Sequence, residues 1–317
     1  LLVRPFKKGP DYIDPLWLST ASQRSCYNLD FNTSSHHEIL HCVQHYGQGA
    51  DLSLIEANKG LYDGVSLDGS DSNAALAKLL QAPVILVIDT RGMTRGIVPI
   101  LLGHLAFDRE VNIAGVIFNR VGGSRHASKL RQAVEYFTEI PVLGAVQESA
   151  EMQIEERHLG LMPSNERADA EQQIEKIRNL VADQVDLAKL VSIAQQAPTL
   201  PAPIQPNLFK STASNSVKVR IGICQDAAFG FYYPGDLEAL QQAGAELVKI
   251  DTLHDAQLPN IDGLFIGGGF PETQMQQLEA NRSMRASIRA AIEAGLPTYA
   301  ECGGLMYLAR SLKWKNQ

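Results

Sequence analysis

Short, uninterrupted apolar runs alternate with helix-forming stretches along this chain, and the alternation occurs twice. "PVILVID" (83–89), "NIAGVIFNR" (112–120) and "PVLGAV" (141–146) read as strands. Between them, "GIVPILLGHLAF" and "SKLRQAVEYFTE" read as helices. Strands apolar at successive positions must be covered on both faces, which calls for a parallel sheet between helical layers. A polar-amphipathic stretch from about 165 to 196 reads as one or two closing helices. The stretch "APTLPAPIQPNLFKSTASNS" then breaks the pattern with four prolines and a Ser/Thr/Asn cluster, the composition of a linker. Beyond it the alternation restarts with "VKVRIGIC", "GDLEALQQAG", "AELVKID", "GLFIGGG", "SMRASIRAAIEAG" and "PTYAE". The expectation is α/β: two doubly wound domains over 1–197 and 217–317, joined by a linker at 198–216. No repeat of solenoid period appears.

Composition narrows the function classes. The net charge is −7 over 317 residues, which argues against nucleic acid or an anionic membrane as the main partner. No apolar run approaches the ~20 residues that span a bilayer, and no signal peptide is visible. Cys26, Cys42, Cys224 and Cys302 lie far apart with no CxxC pair, so neither a disulfide framework nor a zinc site is suggested. A reducing cytoplasm is the expected location.

The strongest chemical signal in the second half is "PTYAECGGLMYLARSL". A short strand runs through Glu301-Cys302-Gly303-Gly304 straight into a helical pattern. That is the strand–nucleophile–helix elbow, in which a sharp turn lifts the side chain above the sheet. The helix N-terminus favours the thiolate of Cys302. Backbone N–H groups, from Gly303 and from the strand-end glycines Gly268 and Gly269 of "FIGGGFPE", can meet an oxyanion. A single cysteine in a buried turn would be the plain alternative. Two glycine motifs at strand ends of one α/β domain point to the elbow instead.

In the first half, "PFKKGPDYIDP" (5–15) puts two lysines, two aspartates and three prolines into eleven residues. Its prolines suggest neither a regular helix nor a central strand. Asp11 and Asp14, three apart, would face opposite sides of a strand, but both can face one pocket from a proline-bounded turn. Glu56 follows the apolar run "LSLI", a strand-end position where ligands gather in open α/β sheets. Asp63 lies seven residues further on. His37, His41 and His45 share one helical face at i, i+4, i+8, which reads as a surface or interdomain face rather than a metal site. "GGSRH" (122–126) has turn glycines beside basic groups, and Asp89 ends a buried strand where it can serve as an outer acid near a metal.

"GGGFPE" followed by "YAECGGLMYL" resembles the glutaminase domain of class I glutamine amidotransferases. "PFKKGPDYIDP", "NLD" (28–30), "LIEANKGLYDG" (54–64), "PVILVIDTRG", "GVIFNRVG", "RHLGL" (157–161) and "FGFYYPGDLEAL" resemble, in order and along essentially the whole chain, the cobyrinic acid a,c-diamide synthase family. The resemblance implies a P-loop, dethiobiotin-synthetase-like parallel sheet followed by a flavodoxin-like glutaminase sheet. It implies ATP and Mg²⁺ as cofactors and L-glutamine as nitrogen donor. The activity it implies is amidation of the a- and c-acetates of cobyrinic or hydrogenobyrinic acid through acyl phosphates, in cobalamin biosynthesis. By the same resemblance, Asp11 and Glu56 are the Mg²⁺ ligands, Asp14 and Asp63 act on the tetrapyrrole side, Lys7 and then Lys8 contact phosphate, and Asn119 reads adenine. No nucleic acid or membrane partner is implied, and a homodimer is left open.

The chain departs from that family in three ways. No GxxxxGK[ST] loop occurs in it, and no His follows Cys302, the last being His254. Both departures read as a segment of a longer enzyme, without the Walker A strand–loop–helix and without the His/Glu part of the triad. Glu56-Ala57-Asn58-Lys59-Gly60 and "FNTSSHH" also replace the family's usual residues beside the ring pocket. A siroheme- or sirohydrochlorin-type ring is therefore an alternative substrate. A non-catalytic tetrapyrrole- or partner-binding homologue is the alternative of another class.

Overall fold

The computed structural model describes residues 1–157, 160–200 and 219–314. Most of the 198–216 linker and residues 158–159 of "RHLGL" lie outside the described residues. The chain forms two compact units. One comprises residues 1–11, 18–159 and 169–203, and the other 12–17, 160–168 and 204–317.

In the first unit the chain order is β1 (Val3–Lys8), α1 (Ile13–Ser22), β2 (Tyr27–Leu29), α2 (His36–Gly47), β3 (Leu52–Glu56) and α3 (Asn73–Leu79), with α1 beginning among the residues of the second unit. It continues with β4 (Val84–Asp89), α4 (Ile97–Phe107), β5 (Ile113–Val121), α5 (Ser124–Phe137), β6 (Val142–Gln147), β7 (Glu156–Arg157), α6 (Ala170–Ala182) and α7 (Leu187–Gln195). Among the described residues β1 to β6 make two three-stranded parallel sheets, ordered β2-β1-β3 and β4-β5-β6. Val116, Phe118, Leu101, Leu130 and Val134 form the core of the second sheet with essentially no exposure. Each such side chain contributes about 1.5–3 kcal/mol by leaving water. The strands read from apolar runs are all present. The 165–196 stretch resolves into two helices, α6 and α7.

Local chemistry starts the helices. Ser35 and Glu38 make a capping box on α2, the Ser35 N–H donating to Glu38 Oε2 at 2.7 Å and the Ser35 hydroxyl accepting from the Glu38 N–H. The Ser72 hydroxyl accepts the Ala75 N–H at the start of α3.

The opening stretch departs from its expected irregularity. Residues to Lys8 form β1, which lies between β2 and β3, and Pro15 sits in the first turn of α1. Proline is tolerated at both places for one reason, the lack of any needed N–H. Pro5 pairs with Leu54 on β3 but precedes the β2 ladder, which begins at Phe6↔Tyr27. An N–H in the first turn of a helix has no intrahelical acceptor in any case.

The second unit contains β8 (Gly160–Leu161), β9 (Val219–Cys224), α8 (Pro234–Gln242), β10 (Ala245–Ile250), β11 (Gly263–Ile266), α9 (Met275–Ala280), α10 (Arg282–Glu293), β12 (Thr298–Ala300) and α11 (Gly303–Leu308). Its sheet is parallel and ordered β10-β9-β11-β12, the flavodoxin-like winding. Ile250, Ile266, Leu264, Met284 and Ile288 pack its core. Among the described residues no helix is long and apolar enough to cross a membrane.

Candidate active sites

In the first unit the candidate residues gather at the carboxyl end of β1. Lys7 lies opposite Glu56 on β3 and opposite Asn28 on β2. Its side chain is 3% exposed, and Nζ stands 3.5 Å from Glu56 Oε2 and 3.9 Å from Asp11 Oδ2. Nζ also donates to the Ala57 carbonyl at 3.3 Å. A buried ammonium is stable only when anions and acceptors meet it, and here two carboxylates and a carbonyl do so. Asn28 Nδ2 holds the turn that carries Asp11, donating to the carbonyls of Gly9 and Asp11 at 2.8 Å each. Its Oδ1 is buried and has no hydrogen-bond partner among the described residues.

Lys8 is also buried but, one residue along a strand, projects to the other face of the sheet. It adds to the forces that hold the Asp71 carboxyl below its usual range, the amides of Val65 and Ser66 being the larger cause. Asp63 is exposed, and its Oδ2 accepts the Gly60 N–H at 3.0 Å. Asp14 is grouped with the second unit, in the first turn of α1.

Asn119 ends the β4–β5 pairing opposite Asp89, and its carbonyl accepts both the amide and the hydroxyl of Thr90. Asp89 is engaged by two guanidinium groups, Arg91 at 2.7 Å and Arg120 at 3.4 Å. Hydrogen bonds from Arg91 hold its carboxyl down at about 2. In the "GGSRH" turn, His126 accepts the Gly122 N–H and contacts the Met93 carbonyl through its other nitrogen. The histidine stripe is not wholly a surface face either. His41 is 5% exposed, and burial lowers its pKa.

Magnesium needs few protein ligands, because it keeps waters and binds one or two carboxylates together with substrate phosphates. Asp11 and Glu56, both within reach of the Lys7 ammonium, fit that demand. No cluster of three or more His, Cys, Asp or Glu able to hold a metal occurs among the described residues.

In the second unit the elbow forms as its sequence suggests. Cys302 follows β12, is exposed, and has φ 47° and ψ −114°, a conformation that costs a non-glycine residue roughly 1–3 kcal/mol. The strain is held from both sides. The Glu301 N–H donates to the Ile266 carbonyl at 3.1 Å, and the Gly304 N–H donates to the carbonyls of Gly267 (3.0 Å) and Glu301 (2.7 Å). The two glycine motifs touch at this point. A Cβ on Gly304 would stand 2.2 Å from the Ile266 carbonyl oxygen, and one on Gly303 would stand 3.0 Å from Gly269 N. Gly268 faces Cys302 more loosely, its Cβ position being 3.5 Å from Cys302 Cβ. The amides of Gly269 and Gly303 donate to no partner among the described residues.

Sequence reasoning assigned no role to Asp226, Phe231 or Tyr232, although "FGFYYPGDLEAL" was singled out. Tyr232 Oη accepts the Gly267 N–H at 2.8 Å and donates to the Cys224 carbonyl. Asp226 is partly buried and accepts from Ala228, Phe229 and Thr252. Burial pushes its carboxyl up despite those donors. Tyr12, from the opening stretch, stacks on Tyr233 at 4.4 Å and on Phe231 at 5.3 Å within this unit. A cleft of ≈ 660 Å³ lined by Ile221, Leu240, Gly263, Phe265 and Thr298 reaches the amino ends of β11 and β12. Ligands of such sheets sit at the carboxyl ends, where Cys302 and the glycines are.

Residues 220–317 match the family model described as the CobB/CobQ-like glutamine amidotransferase domain, and residues 7–156 match an AAA domain model. The chain is 48% identical over 319 residues to the cobyrinate a,c-diamide synthase of Magnetococcus marinus, covering 100% of this chain and 68% of that protein. It is 42% identical to the enzyme of that name from Methanosarcina acetivorans, over 98% of this chain and 64% of the relative. The Synechocystis protein of the same name is 40% identical over 98% of this chain and 65% of its own length. The chain thus spans about two thirds of the length of the curated relatives it matches.

Proposed function

We propose, from the premise that this chain belongs to the cobyrinate a,c-diamide synthase family, that it supplies the glutaminase elbow and part of the ATP-dependent ligase site of a tetrapyrrole amidase. The observation that carries the proposal is Cys302, held at positive φ directly against the Gly267–Gly269 loop. In this reading Cys302 Sγ bonds to the γ-amide carbon of L-glutamine, and the thiol proton ends on the departing nitrogen, which leaves as ammonia. Water then cleaves the thioester to glutamate and restores the thiol.

In the ligase unit Lys7 meets phosphate oxygens, while Asp11 and Glu56 hold Mg²⁺, which supplies charge neutralisation on the transferred phosphoryl group. The a- and c-acetates of cobyrinic or hydrogenobyrinic acid take the γ-phosphoryl of ATP as acyl phosphates. Ammonia displaces phosphate to give each amide. Asp14 and Asp63 orient the acetates, Asn119 reads the adenine, and Gly268, Gly269 and Gly303 face the oxyanion. A cytoplasmic setting is part of the same reading. A siroheme-type ring is the second reading, favoured by Glu56-Ala57-Asn58-Lys59-Gly60, in which Lys59 adopts φ 50°.

The test uses the full-length enzyme with Cys302→Ala. Glutamine-driven amidation is expected to vanish and ammonia-driven amidation to persist, because acyl-phosphate chemistry needs no thiol. Loss of both in a folded protein would overturn the assignment of separate sites. Product analysis with both ring types decides the substrate.

A further inference from the structure

We infer that Tyr232 is a positioning residue for glutamine hydrolysis: its hydroxyl, with the backbone of Gly230 and Phe231, clamps the glycine loop so that the Gly269 N–H points at the Cys302 elbow. The inference rests on the glutaminase reading above. The Gly267 amide, the Gly267 carbonyl and the Gly268 carbonyl are all tied. The Gly267 N–H donates to Tyr232 Oη at 2.8 Å, and that hydroxyl donates to the Cys224 carbonyl at 2.5 Å. The Gly267 carbonyl accepts the Gly304 N–H, and the Gly268 carbonyl accepts the N–H groups of Gly230 and Phe231 at 3.1 Å each.

The last pair sets the direction. In a trans peptide the N–H lies antiparallel to the carbonyl of the same plane. With the Gly268 carbonyl turned to Gly230 and Phe231, the Gly269 N–H must turn the opposite way. That amide has no partner among the described residues and lies 3.0 Å from the Cβ position of Gly303. A run of glycines does not hold such an orientation by itself, because it lacks the side chains that restrict φ and ψ. Tyr232 supplies the restriction through its ring as well, since a Cβ on Gly267 would come within 2.6 Å of it. Asp226 anchors the supporting segment, accepting from Ala228 and Phe229 on one oxygen and from the Thr252 amide and hydroxyl on the other.

When the Cys302 thiolate adds to the γ-carbonyl, the S–C bond forms and the π pair moves to oxygen. The Gly269 N–H meets that charge until the C=O re-forms and ammonia departs. A donor held in place before the reaction stabilises this state more than one that must reorient.

The test is Tyr232→Phe in the full-length enzyme, which removes one oxygen and keeps the ring. Steady-state glutaminase rates are measured beside alkylation of Cys302 by iodoacetamide, a displacement at saturated carbon that forms no oxyanion. We expect kcat to fall about tenfold to a hundredfold, less than the ~10²–10³ lost with a whole donor, with KM within about threefold. Alkylation should stay within about twofold of the unaltered enzyme. An unchanged kcat would overturn the clamp, and so would a parallel fall in alkylation, which would mark Tyr232 as support for the elbow alone. If the unaltered enzyme itself releases no more ammonia from glutamine than Cys302→Ala does, the glutaminase reading fails first.

Discussion

Lys7 shows how one side chain links folding to chemistry. Its stem is buried in a central strand, so its charge depends on the carboxylates it meets, Glu56 opposite on β3 and Asp11 in the turn beyond β1. The same carboxylates are the proposed metal ligands. Glu56 is partly exposed, so replacing it leaves the fold standing and removes a charged contact from the transition state. Glu56→Gln is expected to slow ammonia-driven amidation about a hundred- to a thousandfold at saturating Mg²⁺, with glutaminase turnover untouched. Near-normal amidation would remove Glu56 from the metal site. That Lys7, Asp11 and Glu56 belong together was legible only through the family resemblance, and their roles stand as proposals. The Asn28 oxygen, without a partner among the described residues, was not legible at all, since nothing in "NLD" tells which atoms its neighbours leave unpaired.

The elbow between β12 and α11 is a matter of elements, since it works by close approach. β12 ends beside β11, and the first turn of α11 lies on the loop that follows β11. Only glycine fits at 304, with the Ile266 carbonyl 2.2 Å from where a methyl would go. Gly304→Ala is expected to cost about 1–3 kcal/mol by overpacking. The loss should appear as a lower midpoint in chemical unfolding of the second unit, together with slower glutaminase turnover as the elbow shifts. A stable, fully active Gly304→Ala enzyme would show that α11 can move away freely. The elements themselves were read correctly from periodicity. Segment 5–15 was misread because three prolines outweighed the apolar context in a local reading. Pro5 is admitted to β1 by the neighbour it lacks at that position, and local sequence does not report neighbours.

Taken whole, the chain divides into two units, and the two matched family models fall largely one to each. These 317 residues contain no GxxxxGK[ST] loop, the row of backbone donors that cradles phosphates. Calorimetric titration of the 317 residues with Mg²⁺–ATP is expected to show no micromolar binding, because the Lys7 ammonium does not replace that row. Micromolar affinity would overturn the P-loop-type assignment of phosphate contacts.

The amino-acid order alone pointed to the alternating strands and helices of both units and to the glycine-flanked turn around Cys302. Each of these rests on short-range pattern: apolar runs of strand length, helix caps, and a small-residue turn around one cysteine. The tertiary structure alone decided which groups those residues meet. It placed Asp14 and Tyr12 with the second unit, turned Lys8 to the face opposite Lys7, and buried His41. It also brought Tyr232, thirty-five residues away in sequence, onto the amide of Gly267. Hydrogen bonds and steric exclusion act over about 3 Å of space, and a sequence encodes such distances only through the fold that closes them.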